Sequence, residues 1–521
     1  MNSSKMKTWL SDIIKEEYKQ WKAGNIVLIG TGTGSGKSYF IRNKLSSYAE
    51  YEQSDILFIF NRKELHKQNK EQIELNNNYR IHTTTYQEIE HQISNSGCYD
   101  FTPYTYIVCD ECHYFTDDSS FNHNSDLSFN AIMRLNNKIR IFMSATGSTL
   151  FSFICNSVNK KTKVWEYRGK RQFNQVASLS FYSKDESVKR YIQQHFNGNE
   201  KIIWFCKSTK KAAKLHNEFP NSYFLCSNNG NNKKYLQLIN DRTIITDGEK
   251  ITFDRKYLFT TKVLDNGYDL KDEQIKLIIC DEFDINTMIQ CIGRKRSLSD
   301  DDKVHIVLFN YSNKSINGYK NVFVDKLKEA DIFLKEGVAG RNEFIGRFAQ
   351  KSNYIIYDQP SPDNKYVSDK KISTVKYLKV QNDLAIINEM LDHNRELKKI
   401  REGLGEKSRS DAYMMYILEL MDMKSCRDLD KIYQEQDLGE YLDSLLGKRL
   451  YKQEQKELIE RIAIKDYRGR IQKDVNQIDS YLRSNNLKYA VASFKDNNKK
   501  LDDGSDNPNR GKWYWLVSRF E

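Results

Sequence analysis

From residue 1 to about 315 the chain alternates short apolar runs with stretches whose apolar positions fall at helical spacing. The strand-sized runs are Asn25–Gly30, Asp55–Phe60, Tyr79–Thr83, Thr105–Asp110 and Lys138–Ser144. A second set follows at Ala177–Tyr182, Lys201–Cys206, Ser222–Cys226, Tyr257–Thr261, Lys276–Asp281 and Lys303–Phe309. Strands separated by helices predict parallel sheets covered by helices, here in two consecutive α/β units. The polar stretch Gly169–Gln175 interrupts the rhythm and predicts a boundary, giving units over 1–168 and 169–318. Beyond residue 320 the texture changes. Pro360 and Pro362 fall together in Asp358–Asn364, which reads as a linker or exposed loop closing a helical extension over 319–370. Within 371–521, Lys379–Ile400 and Asp411–Glu460 read as helical. Two β-prone runs, Tyr489–Phe494 and Lys512–Phe520, flank the polar Lys495–Gly511 and predict a terminal hairpin.

Composition narrows the class. The 521 residues are 39% hydrophobic and 29% charged, which reads as soluble and globular. The longest apolar runs are strand-sized, far from the roughly 20 residues of a membrane span. Met1–Trp9 is polar and lacks the apolar core of a signal peptide, so a cytoplasmic location without membrane partners is expected. Nine cysteines without a disulfide-like framework fit a reducing compartment. Cys109 and Cys112 form a CxxC with no second pair nearby, and the spacing does not build a zinc site. The net charge of +12 favours a polyanionic partner.

The strand Asn25–Gly30 runs into Thr31-Gly32-Thr33-Gly34-Ser35-Gly36-Lys37-Ser38 and then a helical stretch, the context of a phosphate-binding loop. Glycines let several N–H groups curl toward phosphate oxygens, and the helix start adds a positive dipole end. Thr33, Gly34, Ser35, Gly36, Lys37 and Ser38 are the candidate ATP-binding residues. Lys37 would reach the terminal phosphates and the Ser38 hydroxyl would ligate Mg²⁺. The strict pattern wants glycine where Thr31 stands. A second strand ends in Asp110-Glu111-Cys112-His113. Asp110 would hold Mg²⁺, and Glu111 would orient or deprotonate the attacking water.

Asp-Glu-x-His after an apolar strand, downstream of such a loop, resembles the DExH box of superfamily 2 helicases, with cysteine at the variable place. The resemblance extends in order over about the first 315 residues and implies two tandem RecA-like domains. Asn61 and Arg62, after Ile56–Phe60, resemble motif Ia; Thr85, in Thr84-Thr85-Tyr86-Gln87, resembles motif Ib. Ser144-Ala145-Thr146 resembles motif III. Lys207, at the end of Lys201–Ser208, resembles motif IV. Thr261, Gly267 and Asp269 match motif V by spacing, and Gln290-Cys291-Ile292-Gly293-Arg294-Lys295-Arg296 resembles motif VI. The family usually carries another arginine three places after the first; Ser297 stands there, so either Arg294 or Arg296 is the arginine that reaches the γ-phosphate.

The resemblance implies a nucleic-acid-dependent ATPase. Gln290 and the arginines would complete catalysis, with Gly267 and Asp269 at the nucleotide. His113, Ser144 and Thr146 would couple hydrolysis to movement. Asn61, Arg62, Thr85, Lys207 and Thr261 would touch the nucleic-acid backbone. Gln20 is poorly spaced for an adenine-reading glutamine, which points away from DEAD-box RNA helicases. DNA is the expected partner ahead of RNA, with 3′→5′ movement. An RNA helicase and an ATP-switched DNA-binding initiator are the alternatives, and a phage or mobile element is the suggested setting. Residues 371–521 lie outside the resemblance. Their hairpin, with Trp513, Tyr514 and Trp515 among basic residues, resembles a winged-helix wing that would bind nucleic acid or a protein; packing of the aromatics into a small core is the reading favoured there, since Asp496, Asp502, Asp503 and Asp506 oppose the basic charge.

Overall fold

The computed structural model describes residues 9–520 apart from 33, 118–123, 170–172, 229, 241–242, 248–249, 265–268, 349–354, 361–367, 404–410, 465, 467–469 and 486. The candidate residues Thr33 and Gly267, and part of the expected linkers at 169–175 and 358–364, lie outside the described residues. The chain divides into two compact units. The first runs to Phe181 and resumes over Phe196–Cys426; the second joins Tyr182–His195 to Arg427–Glu521.

The first unit holds two parallel α/β sheets of the RecA-like kind. In the first sheet, β1 (Ile26–Gly30), β2 (Ile56–Phe60), β3 (Ile81–Thr85), β4 (Tyr106–Cys109), β5 (Ile139–Met143) and β6 (Val164–Arg168) stand in the order β3-β2-β4-β5-β1-β6. Every pairing is parallel. The apolar runs read as strands because both faces are covered: Val27 and Ile29 pack with Phe40 and Ile41 on one side. Ile26 and Leu28 pack with Phe142, Leu150 and Phe151 on the other. The edge strand β6 escaped the sequence reading because Glu166 and Arg168 break its apolar run, as an edge permits.

The order places β5 between β1 and β4. Ile29 pairs with Met143, and Phe142 with Cys109, so the carboxyl ends of three strands meet at one rim of the sheet, where open parallel sheets bind ligands.

The second sheet is built from β7 (Val176–Tyr182), β8 (Lys201–Phe205), β9 (Ser222–Leu225), β12 (Tyr257–Thr260), β13 (Ile275–Cys280) and β14 (Val304–Phe309), in the order β7-β14-β13-β8-β12-β9. A short antiparallel pair, β10 (Ile245–Asp247) and β11 (Lys250–Thr252), was not anticipated. The helical segment Asn313–Phe348 breaks at Gly337, whose φ of 69° only glycine adopts easily. The first residues of the expected linker, Asp358–Pro360, belong to a strand: β15 (Ile356–Pro360) pairs antiparallel with β16 (Ser368–Ile372).

The compact-unit division departs from the expected boundary at 370/371. Helix Thr374–Gly403 begins in the first sheet's core, where Val375 packs with Phe115, Phe129 and Leu150. Further along, it joins the second sheet's core through Ile387, Met390 and Leu391, followed by Tyr413, Ile417 and Met421. This helix is a strap across both sheets, and the break between units falls at Cys426/Arg427.

In the second unit the chain forms β17 (Arg427–Asp428), helix Leu429–Leu445, β18 (Arg449–Leu450), helices Lys452–Ile462 and Val475–Ser484, then β19 (Tyr489–Lys495) and β20 (Trp513–Arg519). The single helical region expected over 411–460 is thus broken, with Asp428 restarting the chain by capping Lys431 N. The sheet order is β18-β20-β19, all antiparallel. Leu442, Leu458, Ile462, Ile478, Leu482, Val491, Trp515 and Val517 form one core. A helix, a short strand, two helices and a hairpin follow one another in this unit. No helix among the described residues is long and apolar enough to cross a membrane.

Lys379 on the strap joins the two sheets electrostatically. Its ammonium pairs with Asp284, the cap of the helix Ile285–Gly293 in the second half, with Asp383 at 2.8 Å, and with Asp117 of the first half at 3.9 Å. Burial lowers the Lys379 pKa, but the three carboxylates outweigh it and hold it well above the usual lysine range. Burial pushes Asp117 up and Asp383 up to about 6, while Lys379 holds Asp284 down at about 2 despite its burial. Replacing Lys379 by Met leaves three carboxylates without their cation, and a loss of about 3–5 kcal/mol is expected in urea denaturation at pH 7. A carboxyl whose folded pKa is raised binds its proton on folding, so the penalty is full above the folded pKa and fades as pH falls toward the unfolded value near 4. The difference between wild type and Lys379→Met should therefore shrink between pH 7 and pH 5. A difference that stays constant over that window would remove the carboxylate cluster as its cause.

Candidate nucleotide site

At the rim of the first sheet, the loop after β1 turns through two left-handed glycines, Gly34 at φ 74° and Gly36 at φ 87°. Gly36 caps the helix that starts at Lys37 and widens into π geometry over Phe40–Leu45. A side chain at Gly36 would also meet the Trp9 ring at 3.1 Å. Within the loop, Thr31 Oγ1 and Ser35 Oγ lie 2.7 Å apart. Lys37 is buried, and its ammonium donates to the carbonyls of Thr31 at 3.0 Å and Gly32 at 3.2 Å. Two neutral carbonyls are a weak resting place for a buried cation, and a phosphate oxygen would compete for it with charge assistance. Ser38 is half-buried one position into the helix.

Beyond β4, Glu111 adopts φ 43°, a left-handed conformation that costs on the order of 1–3 kcal/mol for a residue with a side chain. The turn lets Cys112 N bond back to Met143 O at 2.9 Å, on the neighbouring strand β5. Asp110 Oδ1 accepts from Glu111 N at 3.0 Å, and Tyr86 OH donates to Asp110 O at 2.9 Å. Burial, then the Glu111 charge, pushes the Asp110 carboxyl up to about 7 against the pull of Lys37. Burial acts on Glu111 too, but His113, Lys37 and Arg294 outweigh it and hold that carboxyl well below the usual range. The loop lysine and the arginine of the second half thus act on the same carboxylate. Cys109 and Cys112 are fully buried, and burial pushes both thiols up, as in a packed core.

A line of side-chain polar contacts leads away from Glu111. His113 Nδ1 lies 3.3 Å from Glu111 Oε2 and 3.0 Å from Ser144 Oγ. Ser144 Oγ accepts from Thr146 N at 3.0 Å and lies 3.5 Å from Thr146 Oγ1. Gln290 Nε2 then donates to Thr146 Oγ1 at 3.1 Å. Gln290 sits on helix Ile285–Gly293 of the second half, so the line crosses from one sheet to the other. All four of His113, Ser144, Thr146 and Gln290 are buried.

After Gly293 the helix stops, and Lys295 enters a parallel bridge with Leu270. Leu270 N donates to Arg294 O and Arg296 N to Leu270 O, at 2.8 and 2.9 Å. Arg294 still has helical dihedrals and Arg296 follows the bridge, and both meet Asp269. Arg294 Nη1 is 3.5 Å from Oδ1, and Arg296 Nη2 is 2.9 Å from both carboxylate oxygens. Lys295 faces the other way, onto buried Asp302. Arg296 Nη1 also lies 3.6 Å from the point where a side chain at Gly34 would begin. The sequence reading assigned Asp269 to the nucleotide; in the structure its carboxylate holds two arginines at the site's edge.

The residues expected to touch nucleic acid are not gathered in the same way. Thr85 is buried, and its hydroxyl caps the following helix by accepting from Glu88 N at 3.2 Å. Asn61 is buried with its Oδ1 unpartnered, and Arg62 caps helix Lys63–Leu75 with its backbone. Lys207 is exposed, its ammonium 5.2 Å from the Phe309 ring centre. Thr261 is half-buried. Sequence reasoning missed Trp9, whose following residue Leu10 bonds Ser35 O at 2.9 Å; the apolar spacing of Trp9, Leu10, Ile13 and Ile14 was the available signal. It also missed Arg42, close enough to Asp110 for their charges to interact.

No protein-family model matches the chain. Among curated proteins it is 27% identical over 132 residues to a 26S proteasome regulatory subunit 8 homolog from Naegleria fowleri, covering 23% of this chain and 31% of that protein, and so spans about a third of that relative's length. Among solved structures it is similar to S. cerevisiae Dbp5 L327V bound to RNA and ADP BeF3, at 17% identity over 56% of this chain and 81% of that one, with a TM-score of 0.40. It is also similar to the DEAD-box helicase Mss116 bound to ssRNA and UDP-BeF, at 13% identity over 80% of this chain and 87% of that one, with a TM-score of 0.43.

Proposed function

We propose that the chain is an ATP-driven motor of the superfamily 2 helicase type, hydrolysing ATP between its two RecA-like halves and moving on nucleic acid, DNA ahead of RNA. The observation that carries this is the meeting of the two halves at the loop: Arg296 Nη1 of the second half lies 3.6 Å from where a side chain at Gly34 would begin, and Gln290 Nε2 donates to Thr146 Oγ1 at 3.1 Å. A phosphate chain laid along the loop after β1 would meet Lys37 in place of two carbonyls. Glu111, held ionised, would orient or deprotonate the attacking water. Arg294 and Arg296, aimed by Asp269, would counter the charge that spreads over the transferring phosphoryl group.

The residues present fit a magnesium ion. A hydroxyl at Ser38 and a carboxylate at Asp110 are the hard oxygen donors that Mg²⁺ prefers beside phosphates, and burial leaves the Asp110 carboxylate short of positive charge. When bound, the ion would supply positive charge against the phosphates. The line from Glu111 to Gln290 gives hydrolysis a physical route to the second half: a change in charge or contact at Glu111 alters the partner of His113, and the rearrangement reaches Gln290 through Ser144 and Thr146. Opening and closing of the halves would then alternate with nucleotide state.

An ATPase assay across single-stranded, duplex and forked DNA and RNA tests the reading, with stimulation by single-stranded DNA expected. Lys37→Ala should abolish nucleotide binding, as read by fluorescent-nucleotide titration. Glu111→Gln should bind ATP and nucleic acid and turn over about 10²- to 10⁴-fold more slowly; wild-type turnover in that variant would take Glu111 out of the chemistry. Arg294→Ala should leave nucleotide affinity within a few-fold and cut kcat by about 10³ or more. Arg296→Ala should cut it less, because its guanidinium is more exposed and held mainly by Asp269. Equal, small effects of the two would mean that neither arginine counters the phosphoryl charge.

A further inference from the structure

Glu111 holds a left-handed φ of 43°, which its side chain disfavours. Such a conformation persists only where its neighbours over-determine it. Helix Tyr86–Ser96 supplies two of those neighbours. The Thr85 hydroxyl caps this helix at Glu88 N and so fixes Tyr86 at the end of β3. Tyr86 and Glu90 stand one turn apart and share a face. Glu88, His91, Ser94, Asn95 and Ser96 of the same helix are exposed, whereas Tyr86 and Glu90 are buried. A carboxylate withdrawn from water on a helix with exposed places to spare calls for a reason.

The two side chains meet the segment Asp110–Tyr114, whose ends are also four residues apart. Tyr86 OH donates to Asp110 O at 2.9 Å, just before Glu111. Tyr114 OH donates to the Glu90 carboxylate, 3.0 Å from each oxygen, just after His113. Between these bonds the two tyrosine rings stack, with centres 4.5 Å apart and planes within 7°. Ser128 Oγ, on helix Ser125–Met133, donates to Glu90 Oε1 at 2.7 Å and steadies the acid from another element. Burial holds the Tyr86 hydroxyl well above the usual tyrosine range, so it keeps the proton that it donates. The line of contacts that leaves Glu111 through His113 therefore starts between two fastened points.

We propose that Tyr86 and Glu90 are positioning residues for hydrolysis, a two-point clamp that holds the strained turn at Glu111 and so aims its carboxylate and His113. The proposal rests on the motor reading for the reaction that it serves; the grip on the turn needs no ATP. A core built for stability alone would fill this space with apolar side chains, because a buried carboxylate and buried hydroxyls cost free energy unless bonded. Here both bonds end on one short segment, one on either side of the residue whose backbone is strained. With one point released, Glu111 relaxes toward an ordinary φ and its carboxylate leaves the line of the attacking water. A displacement of about 1 Å is enough to lower a rate by about 10². The bond from Cys112 N to Met143 O at 2.9 Å, which the same turn makes, loosens with it.

The full chain tests this in two ways. Tyr86→Phe removes one hydroxyl and keeps the stacked ring. Hydrogen exchange read by mass spectrometry should then speed up several-fold over Tyr106–Asp117 and stay unchanged over Ile26–Gly30. In steady-state turnover the same variant should lose about 10- to 100-fold in kcat, with the KM for ATP within about twofold of wild type. Glu90→Ala should lose as much, and Glu90→Gln, whose amide oxygen can still accept from Tyr114 OH, should recover most of it. In a Glu111→Gln background Tyr86→Phe should change kcat by less than about twofold, because the group that it aims is gone. A loss in that background as large as in wild type marks a merely structural role and overturns the proposal. So does wild-type exchange over Tyr106–Asp117, or a raised KM at unchanged kcat. Failure of the motor reading shows separately, as faster exchange in Tyr86→Phe of a chain whose wild type hydrolyses no ATP.

Discussion

Two carboxylates side by side at the end of a buried strand are the constraint around which the site is built. Asp110 and Glu111 are adjacent in sequence and largely removed from water, and the Glu111 charge raises the cost of ionising Asp110. Positive or hydrogen-bonding partners must therefore gather round them. The first half supplies His113 and Lys37 to Glu111 and Arg42 to Asp110, and Arg294 of the second half adds to the hold on Glu111. The strand order β4-β5-β1 is what lets one rim meet that requirement.

The same requirement explains why the contacts leaving Glu111 are polar and buried. A buried His113 must find partners on its ring nitrogens, and Ser144 and Thr146 at the end of β5 stand where they provide them. Gln290 extends the line into the second half. The strap helix performs a second crossing by different means. Its apolar residues enter both cores, while Lys379 sits among carboxylates of Asp117 and Asp284. Asp117 follows His113 by one helical turn, and Asp284 caps the helix carrying Gln290. Both crossings are anchored on the two segments whose relative placement decides whether Arg294 reaches Glu111. Buried polar groups tolerate few arrangements, so together they favour discrete relative positions of the halves over a continuous range.

Much of this was legible in the sequence, because apolar runs buried on both faces read as strands wherever charge does not interrupt them. Eleven such runs fall on strands of the two sheets; β6 was lost to Glu166 and Arg168 at an edge. The order of loop, acids and Ser-Ala-Thr along the chain predicted their meeting, since each follows a strand of one parallel sheet and all such ends share a rim. The strap was not legible. Its helix was readable from periodicity, but a helix dividing its apolar face between two cores looks like any amphipathic helix, and Lys379 looks like a solvated lysine until the fold brings Asp117 and Asp284 to it. Thr85 shows a role that the sequence reading did not give it: its hydroxyl accepts from Glu88 N and starts a helix.

The arginine pair shows how a departure from a motif can be resolved by backbone geometry. Two cations meant to reach one carboxylate from a helix must stand three or four residues apart. Here the helix ends at Gly293, Arg294 keeps helical dihedrals, and the chain then enters the bridge between Lys295 and Leu270. That change of backbone within two residues brings Arg296 to the same carboxylate as Arg294, and the Ser297 hydroxyl bonds Asp302 O at 3.1 Å. Lys295, between the arginines, must point the other way, and buried Asp302 is there to receive it. The substitution pattern Arg-Lys-Arg-Ser and the early end of the helix are then one feature: the spacing of the guanidinium groups follows from where the helix stops.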